Sequence, residues 1–398
     1  VSQLVEHGVS NARVVGSIPT GGPVRRRKKK SMICNKMYAF TTVSYLPSLF
    51  FRNPTPDEVI NRPEGKDFYK GAVTPDNFLA VLKGDSASTK GGSGKVLKSG
   101  PNDHVFVYIT AHGAPGLLAF PEDEYRLTHL VFNLPTQLVF YIDASWSGSM
   151  MTKLPDDIDV YATTATNSNE VSYACYYDEK RETYLGDWYS VNWMEDSDVE
   201  DISMETLMRQ FKIIQSNTSR VMKFGNETLA NMKVMAFQGN ANAWPNSPMT
   251  LKPVADPGLT FSTEVPLEIL RRKSSNTDNS LYQSHLKELR RKMLKVVTLV
   301  TGSESEYQKV LCEKMDLTQH QCYEIAVTQY KKHCFSWPTN YEDYLLDLYL
   351  LFNLCGKIYQ QERYRIHLIP PSFYTFPPGF RSIQFLFQSI QKIPHFPR

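Results

Sequence analysis

The sequence predicts an α/β fold with a mostly parallel sheet, followed by an all-α region, and three observations carry that expectation. Val105–Ile109 and Val139–Ile142 are apolar runs of strand length that stop abruptly at Thr110-Ala111-His112-Gly113 and at Asp143-Ala144-Ser145. A third run, Ile158–Thr164, repeats the strand pattern. Much later, Leu286, Leu289, Met293, Val296, Val297 and Val300 recur at three- and four-residue steps, which marks a helix with one apolar face. In an open parallel sheet, ligands bind outside the carboxyl ends of the strands. His112 and Ser145 each sit just past such an end, so a base and a nucleophile position are expected to face one crevice.

The bulk properties narrow the function classes. A chain of 398 residues with 41% hydrophobic content can bury a substantial core and more than one domain. Its formal charge of +3 comes largely from Arg25–Lys30, read as a solvated tail, so no nucleic-acid footprint is expected. No apolar run is long enough to predict a membrane span. Met37–Phe51 follows the basic run but is weakly apolar, lies deep in the chain and lacks a cleavage pattern, so no signal peptide is read there. No cysteine and histidine spacing fits zinc, and neither a metal nor a cofactor is expected.

Taken in order, the prolines from Asn53 to Gly65 predict a loop. Thr74 is placed to cap a helix that begins with Pro75 and runs through Leu82, and Lys83-Gly84-Asp85 follows as an exposed turn. Gly113 lets the backbone approach closely, so its N–H can serve an oxyanion. After the His112 loop only Asp123–Phe132 is left for a crossover helix, a lean connection between parallel strands. Lys233–Gly239 reads as a fourth strand. Asn217-Thr218-Ser219 and Asn226-Glu227-Thr228 are glycosylation sequons. Pro245, Pro248, Pro253 and Pro257 mark a linker.

Beyond it, Ser303 and Glu306 are spaced as a capping box, and Asn340–Asp343 starts a segment through Leu354. Cys312, Cys322, Cys334 and Cys355 crowd into this region as an extracytosolic disulfide framework would, with three pairings open. Cys175 reads as a buried free thiol. The proline-rich last forty residues predict a poorly ordered tail.

The runs Tyr108–Gly113 and Tyr141–Met150, followed by Val160–Thr164, Ser172–Arg181 and Tyr184–Asp198, resemble the legumain (asparaginyl endopeptidase) family of caspase-like cysteine peptidases. The resemblance implies a caspase-like three-layer sandwich over residues 51–239 without the family's first core strand. It also implies an atypical, weakly ordered segment 1–50, a linker 240–275, a helical prodomain 276–357 that covers the cleft, and an atypical tail 358–398. On the same ground His112 is the base, Gly113 the oxyanion donor, and Ser145 stands where the family carries its nucleophilic cysteine. Asp143, Ser172 and Asp187 are implied to line the pocket for asparagine, whose amide their donors and acceptors suit. Asn276 matches the processing position, and Cys322 is implied to pair with Cys355. Residence is lysosomal or secretory by resemblance, and the implied partners are asparagine-containing peptides or proteins, the chain's own prodomain and protease inhibitors.

Two departures set the functional expectation. A thiolate is intrinsically nucleophilic, whereas a serine hydroxyl needs a base held in line by a third group. Ala111 also replaces the aspartate that the family usually carries before its histidine. The chain therefore reads first as a catalytically impaired homologue. A working Ser145–His112 pair and a peptide- or inhibitor-binding pseudoprotease are the alternatives.

Overall fold

The computed structural model describes residues 11–19, 37–41, 68–69, 73–92, 94–120, 137–179, 182–218, 220–238, 258–273, 276–313, 319–334 and 348–357. The chain divides into two compact units, Val1–Val265 and Pro266–Arg398. Arg25–Lys30, the crossover Asp123–Phe132, Asn340–Asp343 and the tail 358–398 lie outside the described residues.

The first unit is built on one sheet. Its early strands are β1 (Asn11–Pro19), β2 (Met37–Thr41) and β3 (Phe68–Tyr69), and helix α1 spans Pro75–Lys83. Strand β4 (Asp103–Thr110) leads to a small hairpin, β5 (Gly113–Ala114) and β6 (Leu117–Leu118). Strands β7 (Gln137–Asp143) and β8 (Val160–Thr164) follow, then a second hairpin, β9 (Tyr173–Asp178) and β10 (Thr183–Asp187). Helices α2 (Trp188–Val199) and α3 (Leu207–Thr218) precede β11 (Met222–Gly225), α4 (Glu227–Ala230) and α5 (Met235–Gln238). Strand β12 (Thr260–Phe261) joins β9.

The main sheet has the order β11-β8-β7-β4-β1-β2-β3. Its centre, β8-β7-β4, is parallel, while β1 and β11 add antiparallel neighbours on either side. The sheet is therefore mixed rather than mostly parallel. Segment 1–50, expected to be weakly ordered, contributes two strands, and β1 pairs with β4 along its length. Val14, Val15 and Ile18 supply the β-branched content that such a strand favours. The fourth strand also differs from expectation. Residues Met235–Gln238 form the short helix α5, and the edge place beside β8 goes to Met222–Gly225.

Alternation along the central strands explains the layering. Val105, Val107, Ile109, Leu138, Phe140, Ile142, Val160 and Ala162 point to one face, where Phe78, Val81 and Leu82 of α1 cover them. Phe106, Tyr108, Val139, Tyr141 and Tyr161 point to the other, under Tyr189 and Trp193 of α2 and Leu207, Phe211 and Ile214 of α3. A strand buried on both faces reads as a continuous apolar run, which is why these runs show no polar alternation. On the second face Trp193 stands edge-on to Tyr108 at 5.2 Å and to Tyr141 at 5.5 Å between ring centroids.

Helix α1 begins as its sequence predicts. Thr74 accepts from the Asn77 N–H at 3.2 Å, and Gly84 ends the helix at φ +72°. In the exposed turn that follows, the Asp85 carboxylate is taken up by Ala87 and Ser88.

The described part of the second unit is helical: α6 (Val265–Lys273) begins at the boundary, then α7 (Asn276–Thr301), α8 (Glu306–Cys312), α9 (His320–Cys334) and residues 348–357. The linker expected over 240–275 is thus shorter, because β12 and α6 lie inside it. Met293, Val296 and Val297 of α7 are fully buried while Lys287, Arg290, Arg291 and Lys295 are exposed, as the three/four spacing requires. The capping box does not form. Ser305 occupies the cap position of α8, and the Ser303 hydroxyl is engaged with Ser305. Instead Asn353 closes the other end of α8, donating to the Val310 and Glu313 carbonyls at 2.7 and 2.9 Å. Cys322 and Cys355 form a disulfide. Cys312 is a free, exposed thiol, so it is not the partner of Cys334.

Candidate active site

Register places the two expected strand ends side by side. Thr110, the last residue of β4, is paired with Asp143, the last of β7, and the Ala111 N–H donates to the Asp143 carbonyl at 3.0 Å. His112 and Ser145 thus leave the sheet at the same level, and both are buried, at 6% and 3% exposure. Gly113 packs against the turn that carries Ser145, because a Cβ there would overlap the Ser145 carbonyl oxygen. Only glycine permits that approach. A second tie joins the same loops. The Ser149 hydroxyl donates to the Trp146 carbonyl at 2.6 Å and accepts from the Gly116 N–H at 2.7 Å.

The Ser145 turn is strained. Trp146 follows at φ +55°, a left-handed conformation that costs a bulky residue about 1–3 kcal/mol. Burial of the indole and a 2.7 Å hydrogen bond from the Trp146 N–H to the Glu170 carbonyl hold it there. The next turn, Ser147–Met150, is a short 3-10 helix pressed against Thr166 and Asn167 at Gly148.

The Ser145 hydroxyl faces the start of β9. Its Oγ accepts from the Ser172 N–H at 3.1 Å and lies 3.2 Å from Ser172 Oγ. Ser172 Oγ in turn lies 2.8 Å from Ser262 Oγ, and the Ser262 N–H donates to the Ser172 carbonyl at 2.9 Å. Three buried hydroxyls thus form one chain from the Ser145 turn to the segment after β12. Strand β12 itself pairs with β9, where Phe261 stacks on Tyr173 at 4.8 Å.

Two of the implied pocket residues, Asp143 and Asp187, lie near each other. Asp143 lies under the first turn of α2, accepting from the backbone N–H of Ser190 at 3.0 Å and from its hydroxyl. Tyr108 is hydrogen-bonded to the same hydroxyl. A carboxylate at a helix N-terminus meets unpaired N–H groups and the favourable end of the dipole. Asp187 ends β10 and accepts from Thr110 Oγ1 at 3.2 Å. Burial pushes the Asp143 carboxyl well above the usual range, and the charge of Asp187 adds to this against the Ser190 hydrogen bonds. Burial likewise pushes Asp187 up to about 6, opposed by the Thr110 bond and the nearby His112. Cys175, buried behind these carboxyls, is pushed well up by burial and by their charge, so it is an inert thiol.

The two sequons differ in setting. Asn226 caps α4 through its Oδ1, accepting from the Thr228 N–H at 2.8 Å, whereas the Asn217 amide donates to Asn192 at 2.9 Å. Asn276 is the first residue of α7. Among the described residues no group of three metal-ligating side chains converges, and no helix is long and apolar enough to cross a membrane.

Sequence reasoning missed Thr110, Ser190, Trp146 and Ser262. Thr110 had a local signal, being the polar stop of an apolar strand. The others had none, because their roles depend on partners that the chain brings back from far away.

Comparison with known proteins agrees with this geometry. Residues 49–240 match the model of the peptidase C13 family. The chain is 51% identical to legumain of Rattus norvegicus over 348 residues, 79% of this chain and 79% of that protein. It is 49% identical to legumain of Homo sapiens over 351 residues, 79% and 80% of the two chains. It is 34% identical to hemoglobinase of Schistosoma japonicum over 347 residues, 78% of each. Identity at this level and extent, over a sheet that sets His112 and Ser145 at adjoining strand ends, makes the chain a member of the peptidase C13 family, to which the legumains belong.

Proposed function

We propose that this chain is a legumain-type protein that takes asparagine-containing peptides into the pocket of Asp143, Ser172 and Asp187, with peptide hydrolysis impaired at Ser145. The observation that carries this reading is the state of the Ser145 hydroxyl. It is spent on the Ser172 N–H and hydroxyl, and neither partner is a base. A serine nucleophile needs a base to take its proton, and His112 is not among the hydrogen-bond partners of Ser145. What survives is recognition: two buried carboxyls and a serine hydroxyl that match the donors and acceptor of an asparagine side chain.

In this reading Ser145 occupies the position of the family's cysteine, Gly113 retains the backbone donor, and the helical segment 276–357 acts as a prodomain with Asn276 as its processing position. Asparagine peptides, the prodomain and protease inhibitors are the partners. Lysosomal or secretory residence fits the Cys322–Cys355 disulfide, because such bonds persist in oxidising compartments. Asn226, whose Oδ1 rather than its amide nitrogen makes the cap, is the better placed glycosylation acceptor.

The test pairs turnover with binding. Acid-treated protein is assayed at about pH 5 on a fluorogenic peptide ending in asparagine, beside the Ser145→Cys and His112→Ala variants, and binding of the same peptide is followed by anisotropy. The expected result is binding without turnover by the unmodified chain and turnover by Ser145→Cys. Turnover by the unmodified chain that His112→Ala abolishes would instead make Ser145 a working nucleophile.

A further inference from the structure

Thr110, the last residue of β4, is tied to both pocket carboxyls. Its backbone is paired with Asp143 in the register of β4 and β7, and its hydroxyl donates to Oδ2 of Asp187 at 3.2 Å. Thr110 is 4% exposed, whereas Asp187 is half-buried. The hydroxyl therefore holds the Asp187 carboxyl from within, and a ligand meets it from the open side. Threonine suits both duties, because its β-branched side chain fits a strand and its hydroxyl can donate where the strand ends.

The two carboxyls are not equivalent. Burial and the charge of Asp187 hold the Asp143 carboxyl well above the usual range, so it stays neutral while Asp187 ionises at about 6. The charged acceptor in the pocket is then Asp187. A hydroxyl that donates to a carboxylate favours its charged form and fixes one of its oxygens. An asparagine side chain brings two N–H donors, which need such an acceptor. On the pocket reading given above, we propose that Thr110 is a positioning residue for the ligand: its hydroxyl holds one oxygen of Asp187 and keeps the other as an acceptor for the asparagine amide.

The groups around Asp187 leave this role to Thr110. His112, in the loop after β4, also draws the Asp187 carboxyl down, but it does not replace the hydrogen bond that fixes an oxygen. Cys175 of β9 is an uncharged thiol, and the charge of Glu195 on α2 acts on that thiol, raising it further. Asp143 is committed to Ser190 through both the backbone N–H and the hydroxyl.

The experiment follows binding of a fluorescent asparagine peptide by anisotropy from pH 4.5 to 8, with the protein prepared as for the turnover assay and with Thr110→Val and Thr110→Ser alongside. Valine keeps the branched shape and removes the donor, while serine keeps the donor. In the unmodified chain affinity is expected to rise with pH through about 6, as Asp187 ionises. In Thr110→Val that midpoint is expected to move up by about one pH unit, which makes binding up to roughly tenfold weaker below pH 6 and less impaired as the pH is raised. Thr110→Ser is expected to restore the unmodified profile. A loss in Thr110→Val that is equal at every pH, with the midpoint unmoved, would overturn the role of Thr110 and leave a packing contribution. No binding by the unmodified chain at any pH would instead overturn the pocket reading, and this role with it. Thr110→Ala removes the same hydroxyl without placing a methyl group against Asp187, and it carries the same expectation should the valine variant not fold.

Discussion

Replacing Ser190 with alanine isolates the support beneath Asp143. The Ser190 hydroxyl is fully buried, donates to Asp143 and is hydrogen-bonded to Tyr108. Its removal leaves the Asp143 carboxyl with the backbone N–H alone and takes the Ser190 partner away from the Tyr108 hydroxyl, beside Trp193. A buried hydrogen bond is worth about 0.5–1.5 kcal/mol and one to a charged group about 1.5–3, so losing both is expected to cost roughly 2–4 kcal/mol in total. For a unit of this size that lowers the melting midpoint by about 4–16 °C. The Ser190 hydroxyl bond also holds the Asp143 carboxyl down, so its titration moves further up when that bond is lost. Circular dichroism melts of the unmodified chain, Ser190→Ala, Tyr108→Phe and the double variant provide the assay. Tyr108→Phe removes the same Ser190–Tyr108 hydrogen bond, so the double variant is expected to lose less than the sum of the singles. Additive losses, or a Ser190→Ala cost under about 0.5 kcal/mol, would refute the reasoning.

Gly113→Ala drives a Cβ into the Ser145 carbonyl oxygen and is expected to cost about 1–3 kcal/mol and to abolish asparagine-peptide binding, measured by chemical unfolding and anisotropy. The Asp187 carboxyl, raised to about 6, makes folding stability fall as pH climbs from ordinary aspartate values through 6, and Asp187→Asn is expected to remove that share of the slope in pH-dependent melts. Breaking the Cys322–Cys355 bond, which spans 33 residues, by replacing both cysteines with alanine is expected to destabilise the helical unit by roughly 3–4 kcal/mol on the loop-entropy estimate, seen as an earlier urea transition. Alkylation of the native protein followed by peptide mapping is expected to label exposed Cys312 and to leave buried Cys175 unmodified until denaturant is added.

The sequence by itself determined the elements whose signals are local. Apolar runs of strand length had to be buried on both faces, the Thr74-Pro75 start and Gly84 stop set α1, and the spacing of Met293, Val296 and Val297 set the buried stripe of α7. The polar stops at the ends of β4 and β7 mark His112, Asp143 and Ser145, because an apolar strand that ends in such residues has few other uses for them. Tertiary structure alone decided the rest. Lys233–Gly239 has the composition of a strand, but the edge beside β8 was already filled by Met222–Gly225, and its backbone turned into a helix. β1 took its place beside β4 through pairing across some ninety residues, a register that no local pattern encodes. Most consequentially, Ser145 looks like a nucleophile in one dimension, and its hydroxyl is committed to Ser172 in three. A hydrogen bond is settled by which donor lies within about 3 Å, and that is a property of the packed chain, not of the order of its residues.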